Sequence, residues 1–251
     1  MAKAAELGKN RTGIDMSPAD AERMISGAKE FSSAASADGR TAIAALEREY
    51  IAEAEPIGSV PAPGTLRGAL KTGAKKATGK NPEVFLNKLG ERLAYERTGV
   101  RLYESVITKV EAADQMHPAG PVTVDELQQI RDEEMQHFQL LSDVAESLGA
   151  DPTALTPAAN VAAVATMGIP KVLNDPRTTV AQCLDALLTL ELVDNAAWEL
   201  LIQLADNMGL KDASEQFQRA LEQEKEHLAT VRSWLEEITT QEARRGAQAR
   251  H

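Results

Sequence analysis

Apolar positions recur every three to four residues through most of the chain, the period of helices that bury one stripe. Four long stretches carry the pattern. The first is predicted over about 82–113, with Phe85, Leu89, Leu93, Val100, Ile107 and Val110 on one stripe. The second starts at Thr123, with Glu126 at capping-box spacing, and runs to Leu148 before Gly149. The third covers about 178–208 and stops at Gly209, and the fourth covers about 211–240. Between the second and third lies a long connection, in which the apolar run 158–172 predicts one short helix. Two helical hairpins joined by a long crossover is an order that a four-helix bundle adopts.

Ahead of these stand two shorter helical patterns. Ser17-Pro18 is a good helix start, and a helix to about Ala35 would turn Ala19, Met24, Ile25 and Ala28 toward a partner. A second helix is predicted from about Thr41 to Glu55, and PIGSVPAPG after it reads as a stiff connector. From Ile57 to Pro82 there is no acidic residue, while Arg67, Lys71, Lys75, Lys76 and Lys80 are cationic. That stretch is expected to be a solvated amphipathic segment rather than a dedicated docking site. The organisation expected is therefore a helical extension with a Pro/Gly/Lys-rich connector over 1–81, a bundle over 82–242 and a flexible tail over 243–251.

The polar interruptions of the stripes are more informative than the stripes. In the fourth helix the inward series runs Phe217, Leu221, Glu224, Leu228, Val231 and Leu235, so Glu224 is inside, with His227 beside it one turn on. The second helix repeats this with Leu127, Ile130, Glu134, His137 and Leu141. In the third, Leu184, Leu187 and Leu188 lead to Glu191; in the first, Leu89 and Leu93 lead to Glu96. Glu96 lies 38 residues before Glu134, and Glu191 lies 33 before Glu224. Two of the four histidines in the chain thus fall in Glu-x-x-His, on alternate helices. A lone Glu-x-x-His is commonly a surface ion pair, but this repeated arrangement is not expected by chance. Carboxylates buried among apolar side chains cost several kcal/mol each unless compensated. Two divalent cations would balance the charge of four carboxylates, with each imidazole capping one ion. The metal-free alternative is a satisfied polar layer in the core.

Composition narrows the field. Lys+Arg 27 against Asp+Glu 38 gives a net charge of -11, which disfavours nucleic acid and anionic membrane surfaces as partners. Four Phe, three Tyr and two Trp leave the core to aliphatic side chains, which suits packed helices. Cys183 is the sole cysteine, so an intramolecular disulfide and any Cys-based zinc or iron–sulfur site are excluded. No apolar run has the length of a membrane span, and the start MAKAAELGKNRTG lacks a signal-peptide apolar region. The expected location is the cytoplasm.

The last 170 or so residues resemble the ferritin-like superfamily, on its bacterioferritin and rubrerythrin side. ERTGVRLY at 96–103 is similar to the first-helix signature, DEEMQHFQLL at 132–141 to the second-helix motif, and EQEKEHLATVRSWL at 222–235 to the fourth. The resemblance implies an all-α, ferritin-like four-helix bundle with Glu96, Glu134, His137, Glu191, Glu224 and His227 as metal ligands. Glu134 and Glu224 would bridge the ions, and Tyr103 would stand close to them, able to orient a ligand or supply an electron. It further implies two Fe ions (or Mn/Fe, or two Mn) and redox chemistry with O2 or hydrogen peroxide, of the ferroxidase or peroxidase type, in iron handling or oxidative-stress defence. A homodimer is expected.

The chain departs from the family pattern at several points. Rubrerythrins carry an extra carboxylate three residues after the third-helix ligand; Asp194 stands there and is expected behind the ligands, orienting an imidazole. No Cys-x-x-Cys is present to carry a rubredoxin-type module. Met135 follows Glu134 as the haem-ligating methionine does in bacterioferritins, but methionine there more often packs an interface, and haem is not expected. The long N-terminal region is unlike cage-forming ferritins. His117 in a loop and His251 at the terminus do not supply a third histidine ligand. GTLRG at 64–68 has a faint likeness to nanocompartment cargo tags, but its internal position reads as a loop. Three other functions fit the same residues: an oxygenase on an organic substrate, a di-manganese catalase-like enzyme, and a non-catalytic stress or interaction bundle.

Overall fold

The structure is a computed structural model that describes residues 18–31, 38–62, 81–114 and 120–248. The chain divides into two units, Met1–Pro56 and Ile57–His251. The first unit contains α1 (Pro18–Phe31) and α2 (Asp38–Glu53). Helix α1 opens on its proline as expected and is described to Phe31; the rest of the predicted stretch, to Ala35, lies outside the described residues. Helix α2 begins earlier than predicted, at Asp38, an acidic residue suited to a first turn. It stops before Pro56, which disfavours helical geometry in the residue ahead of it. The basic run at 67–80, GTLRG at 64–68, His117 and His251 lie outside the described residues.

The second unit is built on four long helices: α3 (Pro82–Asp114), α4 (Val124–Ser147), α7 (Val180–Met208) and α8 (Lys211–Gln248), with α5 (Pro157–Ala165) and α6 (Gly168–Asn174) in the crossover. Among the described residues there are eight helices and no strand, so the fold is all-α. Helix α3 packs along α4, α7 along α8, and α3 also meets α7. At 1.5 Å per residue the 33 residues of α3 span about 50 Å.

The helix ends follow the local chemistry. Thr123 Oγ1 accepts from Glu126 N at 3.2 Å, but the Glu126 carboxylate meets that hydroxyl instead of the Thr123 amide, so half of the predicted capping box forms. The complete box is at the start of α7, where Thr179 Oγ1 and Gln182 Oε1 take each other's backbone N–H groups. Gly209 ends α7 at φ 71°, a left-handed conformation that suits glycine. The apolar run 158–172 forms two helices, not one. Pro170 has no N–H to continue α5, and it fits only in the first turn of a new helix, which Gly168 opens. At the other end of the bundle, the predicted tail is helical as far as Gln248, because its Ala, Gln and Arg content favours helix.

Two apolar clusters fill the bundle. One holds Tyr103, Val106, Leu127, Ile130, Leu184, Leu187, Val231 and Trp234. The other holds Phe85, Leu89, Leu93, Leu141, Val144, Trp198, Leu201, Phe217 and Leu221. Along α3 and α8 the numbering passes from the second cluster to the first, and along α4 and α7 from the first to the second. Neighbours in each hairpin therefore run antiparallel, and the crossover returns α7 parallel to α4. The inward glutamates and histidines lie where each helix changes cluster, in a polar layer between the two.

Candidate metal centre

Each of the four long helices brings its interrupted stripe to the same level. Glu96 comes from α3, Glu134 and His137 from α4, Glu191 from α7, and Glu224 and His227 from α8. All four carboxylates are 0% exposed and both imidazoles 2%. The six residues form two groups, Glu96, Glu134, His137 and Glu224, and Glu134, Glu191, Glu224 and His227; in each, four ligand atoms lie within 4.8 Å of one another. Glu134 and Glu224 belong to both groups. The structure thus brings together all six residues singled out from the sequence.

The two histidines point alike. His137 Nδ1 lies 2.7 Å from Glu224 Oε1 and 3.9 Å from Glu96 Oε2. His227 Nδ1 lies 3.4 Å from Glu224 Oε2 and 3.6 Å from Glu134 Oε1. On the outer side, His137 Nε2 meets Gln223 Oε1 at 3.0 Å and His227 Nε2 meets Glu133 Oε2 at 2.7 Å. Each ring therefore turns Nδ1 inward and is steered by a hydrogen bond at Nε2.

The two outer glutamates are held in a matching way. Tyr103, fully buried, donates its hydroxyl to Glu191 Oε1. Arg92, 1% exposed, donates through Nη2 to both Glu96 Oε1 and Asp194 Oδ1. Its guanidinium lies 4.6 Å from the Tyr95 ring centroid and 5.6 Å from that of Trp198. Asp194 thus meets Arg92, which also holds Glu96, and not an imidazole as expected. Its short side chain ends at the guanidinium, while Glu133 and Gln223 from the opposite hairpin members reach the rings. Asn195 Nδ2 donates to the carbonyls of Glu191 and Glu224, each at 3.0 Å, and so pins α7 to α8 at this level.

Eight inward atoms have no hydrogen-bond partner: Glu96 Oε2, Glu191 Oε2, both oxygens of Glu134 and of Glu224, and Nδ1 of each histidine. The close Nδ1–carboxylate approaches lack hydrogen-bond geometry. A buried unsatisfied polar atom costs about 1–3 kcal/mol, so eight together rival the whole stability of a domain, about 5–15 kcal/mol. Their arrangement suits cations well. Each outer glutamate offers one oxygen, each imidazole one nitrogen, and each shared glutamate one oxygen to either side, which makes four donors for each of two positions.

Electrostatics describe the same site without cations. Burial, then Glu224 and Glu96, push Glu134 well above the usual carboxylate range. Burial and then Glu224 raise Glu191 to about 8, and burial outweighs Arg92 in raising Glu96. Burial would raise Glu224 too, but the two histidines against it lower it to about 2. The histidines gain proton affinity in return. Burial opposes the charge on both, but the Glu224 carboxylate against it carries His137 up, and Glu134 and Glu224 carry His227 to about 12. The metal-free layer therefore retains protons at neutral pH on Glu134, Glu191 and His227, three of the residues that would bind cations, while Glu224 stays ionised.

Arg92, Glu133 and Gln223 escape a reading of the stripes, because each flanks an inward position and has a partner on another helix. For Arg92 alone the sequence carries a signal: it precedes Glu96 by four residues, the spacing of an intrahelical ion pair. Among the described residues no helix is long and apolar enough to cross a membrane.

A comparison with curated proteins and another with solved structures each find no match. Residues 80–244, well over half of the chain, match the model of the family described as "Domain of unknown function (DUF892)". The buried cluster and the helical fold accord with that match, and the chain belongs to this family, which lies within the ferritin-like superfamily.

Proposed function

We propose that the polar layer holds two divalent metal ions, iron foremost, and that the protein carries out redox chemistry with O2 or hydrogen peroxide. The observation that carries this reading is the donor set: two groups of four ligand atoms sharing Glu134 and Glu224, with eight inward atoms unpartnered. Four glutamates balance two dications. The fifth buried carboxylate, Asp194, is matched by Arg92 and leaves that balance intact. Carboxylate and imidazole donors suit iron and manganese, whereas the absence of thiolates argues against softer ions. Two irons held in one site would supply two electrons to a single oxidant.

The protein's own part is to orient and to exclude. Tyr103 and Arg92 each occupy one oxygen of an outer glutamate, so Glu191 and Glu96 present a single oxygen inward. The Tyr103 hydroxyl is also a proton donor in direct contact with the Glu191 carboxylate. Its burial and the neighbouring Glu191 hold it well above the usual phenol range, so it stays protonated as a donor. Ligand residues 0–2% exposed favour a small oxidant over a bulky organic substrate.

Anaerobic titration of the metal-free protein with Fe(II), followed by stopped-flow mixing with O2 and separately with peroxide, tests the reading. The expected result is two irons per chain and a near-ultraviolet ferric band after oxidant, faster with whichever oxidant the protein uses. Glu134→Ala and His227→Ala are each expected to lose metal and the band. Full metal content in both variants would overturn the assignment of the site.

A further inference from the structure

We propose that the two cation positions are unequal, and that the one formed by Glu191 and His227 binds first and more tightly because of Glu133 and Gln223. The inference rests on the two-metal reading above and concerns the residues behind the ligands.

The ligand groups look alike: each has one outer glutamate, one histidine and a share of Glu134 and Glu224. Their supports differ in charge. His227 Nε2 is 2.7 Å from the carboxylate of Glu133, whose other oxygen accepts from Gln129 Nε2 at 3.0 Å. His137 Nε2 is 3.0 Å from the neutral amide oxygen of Gln223. When Nδ1 of an imidazole binds a cation, Nε2 carries the proton and must donate it. Donation to a carboxylate is charge-assisted and makes the ring a stronger ligand than donation to an amide.

The glutamate side has the same sign. Glu191 gives one oxygen to the uncharged hydroxyl of Tyr103, whereas Glu96 gives one to the guanidinium of Arg92. A cation draws charge from Glu96 that a hydroxyl leaves on Glu191. Asp194 on the same nitrogen of Arg92 reduces this effect without reversing it. Glu133, with its side chain 20% exposed, is sheltered enough for its charge to be felt. Both differences therefore favour the position at Glu191 and His227. Partners behind a metal-binding histidine typically change affinity about 10–100-fold.

Each position takes one outer glutamate, one histidine and a share of Glu134 and Glu224, so the donor count offers no competing reason for an order of filling. Gln223 and Glu133 are also equivalent, each directly preceding the shared glutamate of its helix. Exchanging their charges should thus exchange the order, because the difference behind the histidines outweighs the one behind the glutamates, which Asp194 reduces. They are positioning residues, since neither lies among the inward ligand atoms.

The test uses the full chain, metal-free, with Co(II) as probe. Repulsion between two dications separates the binding steps by itself, so location decides, read by anomalous diffraction from crystals loaded with one equivalent per chain. The expected peak lies at His227. Glu133→Gln should weaken the first step about tenfold or more and shift part of the peak to His137, leaving the remainder at His227. The double variant Glu133→Gln with Gln223→Glu should restore a single peak, now at His137, and tight first-step binding. A purely structural role for these residues would not move the peak, and thermal melts of the metal-free variants establish that each is folded. Equal peaks in the unaltered protein, or a peak that stays at His227 in the double variant, would overturn the inference and leave the two-metal reading standing. Failure of the unaltered protein to bind Co(II) at either position would overturn both.

Discussion

Glutamate 134 needs room on α3, and position 99 provides it by having no side chain. A Cβ at Gly99 would lie 2.6 Å from Glu134 Oε2 and 3.1 Å from its Cδ. In an exposed helix alanine is favoured over glycine by about 1 kcal/mol, so glycine here is explained by the site and not by the helix. The Glu134 carboxylate is the end of a flexible chain and can move, but moving removes it from its shared position. Gly99→Ala is therefore expected to leave the metal-free protein as stable as before or up to about 1 kcal/mol more stable. Its affinity for the first divalent cation should fall about tenfold or more, the scale on which displaced partners act. Paired thermal melts and metal titrations check this, and undiminished affinity would mean that Glu134 is not held where it binds. The six inward residues were legible because each replaces an apolar residue in a helical period. Gly99 was not, because its role is defined by a side chain on α4.

At the scale of the element, the crossover is attached to α3 by a small set of contacts. Thr156, 4% exposed, caps α5 by accepting from Ala159 N at 3.3 Å, and its hydroxyl donates to the Asn87 carbonyl at 3.0 Å. Asn87 Oδ1 in turn accepts from Ala158 N at 2.9 Å. A Cβ at Gly90 would stand 2.4 Å from Thr156 Cγ2 and 3.2 Å from its Cβ. Held at both ends, Thr156 cannot turn aside, so Gly90→Ala should push α5 from α3 and destabilise the protein by about 1–3 kcal/mol. Denaturant unfolding would measure the loss, and metal stoichiometry should be unchanged, because the ligand layer is made by other turns. The four long helices were readable from period, caps and Gly209 with small errors at the ends. The division of the crossover into α5 and α6 was less so, since periodicity alone does not register that Pro170 must sit in a first turn.

For the molecule as a whole, the metal-free layer should be a liability that cations relieve. Glu134, Glu191 and Glu96 have raised proton affinities when folded, and so do both histidines. Above the ordinary carboxylate range the folded state therefore binds more protons than the unfolded chain, and stability falls as pH rises. For Glu191 the fall extends from about 4.5, its ordinary value, to about 8. For His227 it begins near the ordinary histidine value of 6.5 and continues toward about 12. Glu224, lowered to about 2, has the opposite sign but has finished titrating below this window. Melting temperatures of chelator-treated protein should thus decline steadily between pH 6 and pH 9. Bound cations replace those protons, so the metal-loaded protein should decline less. At a hundredfold excess over its dissociation constant, one bound ion adds about 2.7 kcal/mol, or about 5–10 °C for a chain of this size. Chelator that leaves the melting temperature unchanged across that range would contradict a metal-filled layer.

What the sequence determined by itself is whatever repeats along one helix: four amphipathic stripes, their ends, and the places where glutamate and histidine break the stripe. Helical period is a local property, and six inward polar residues on four helices already imply a shared buried layer. The tertiary structure alone decided how that layer is supported. Arg92 with Asp194, Tyr103 with Glu191, and Glu133 and Gln223 with the two imidazoles all join residues on different helices. Such pairs depend on the rotation and depth at which helices meet, and these follow from the packing of whole side chains rather than from the spacing of any one stripe.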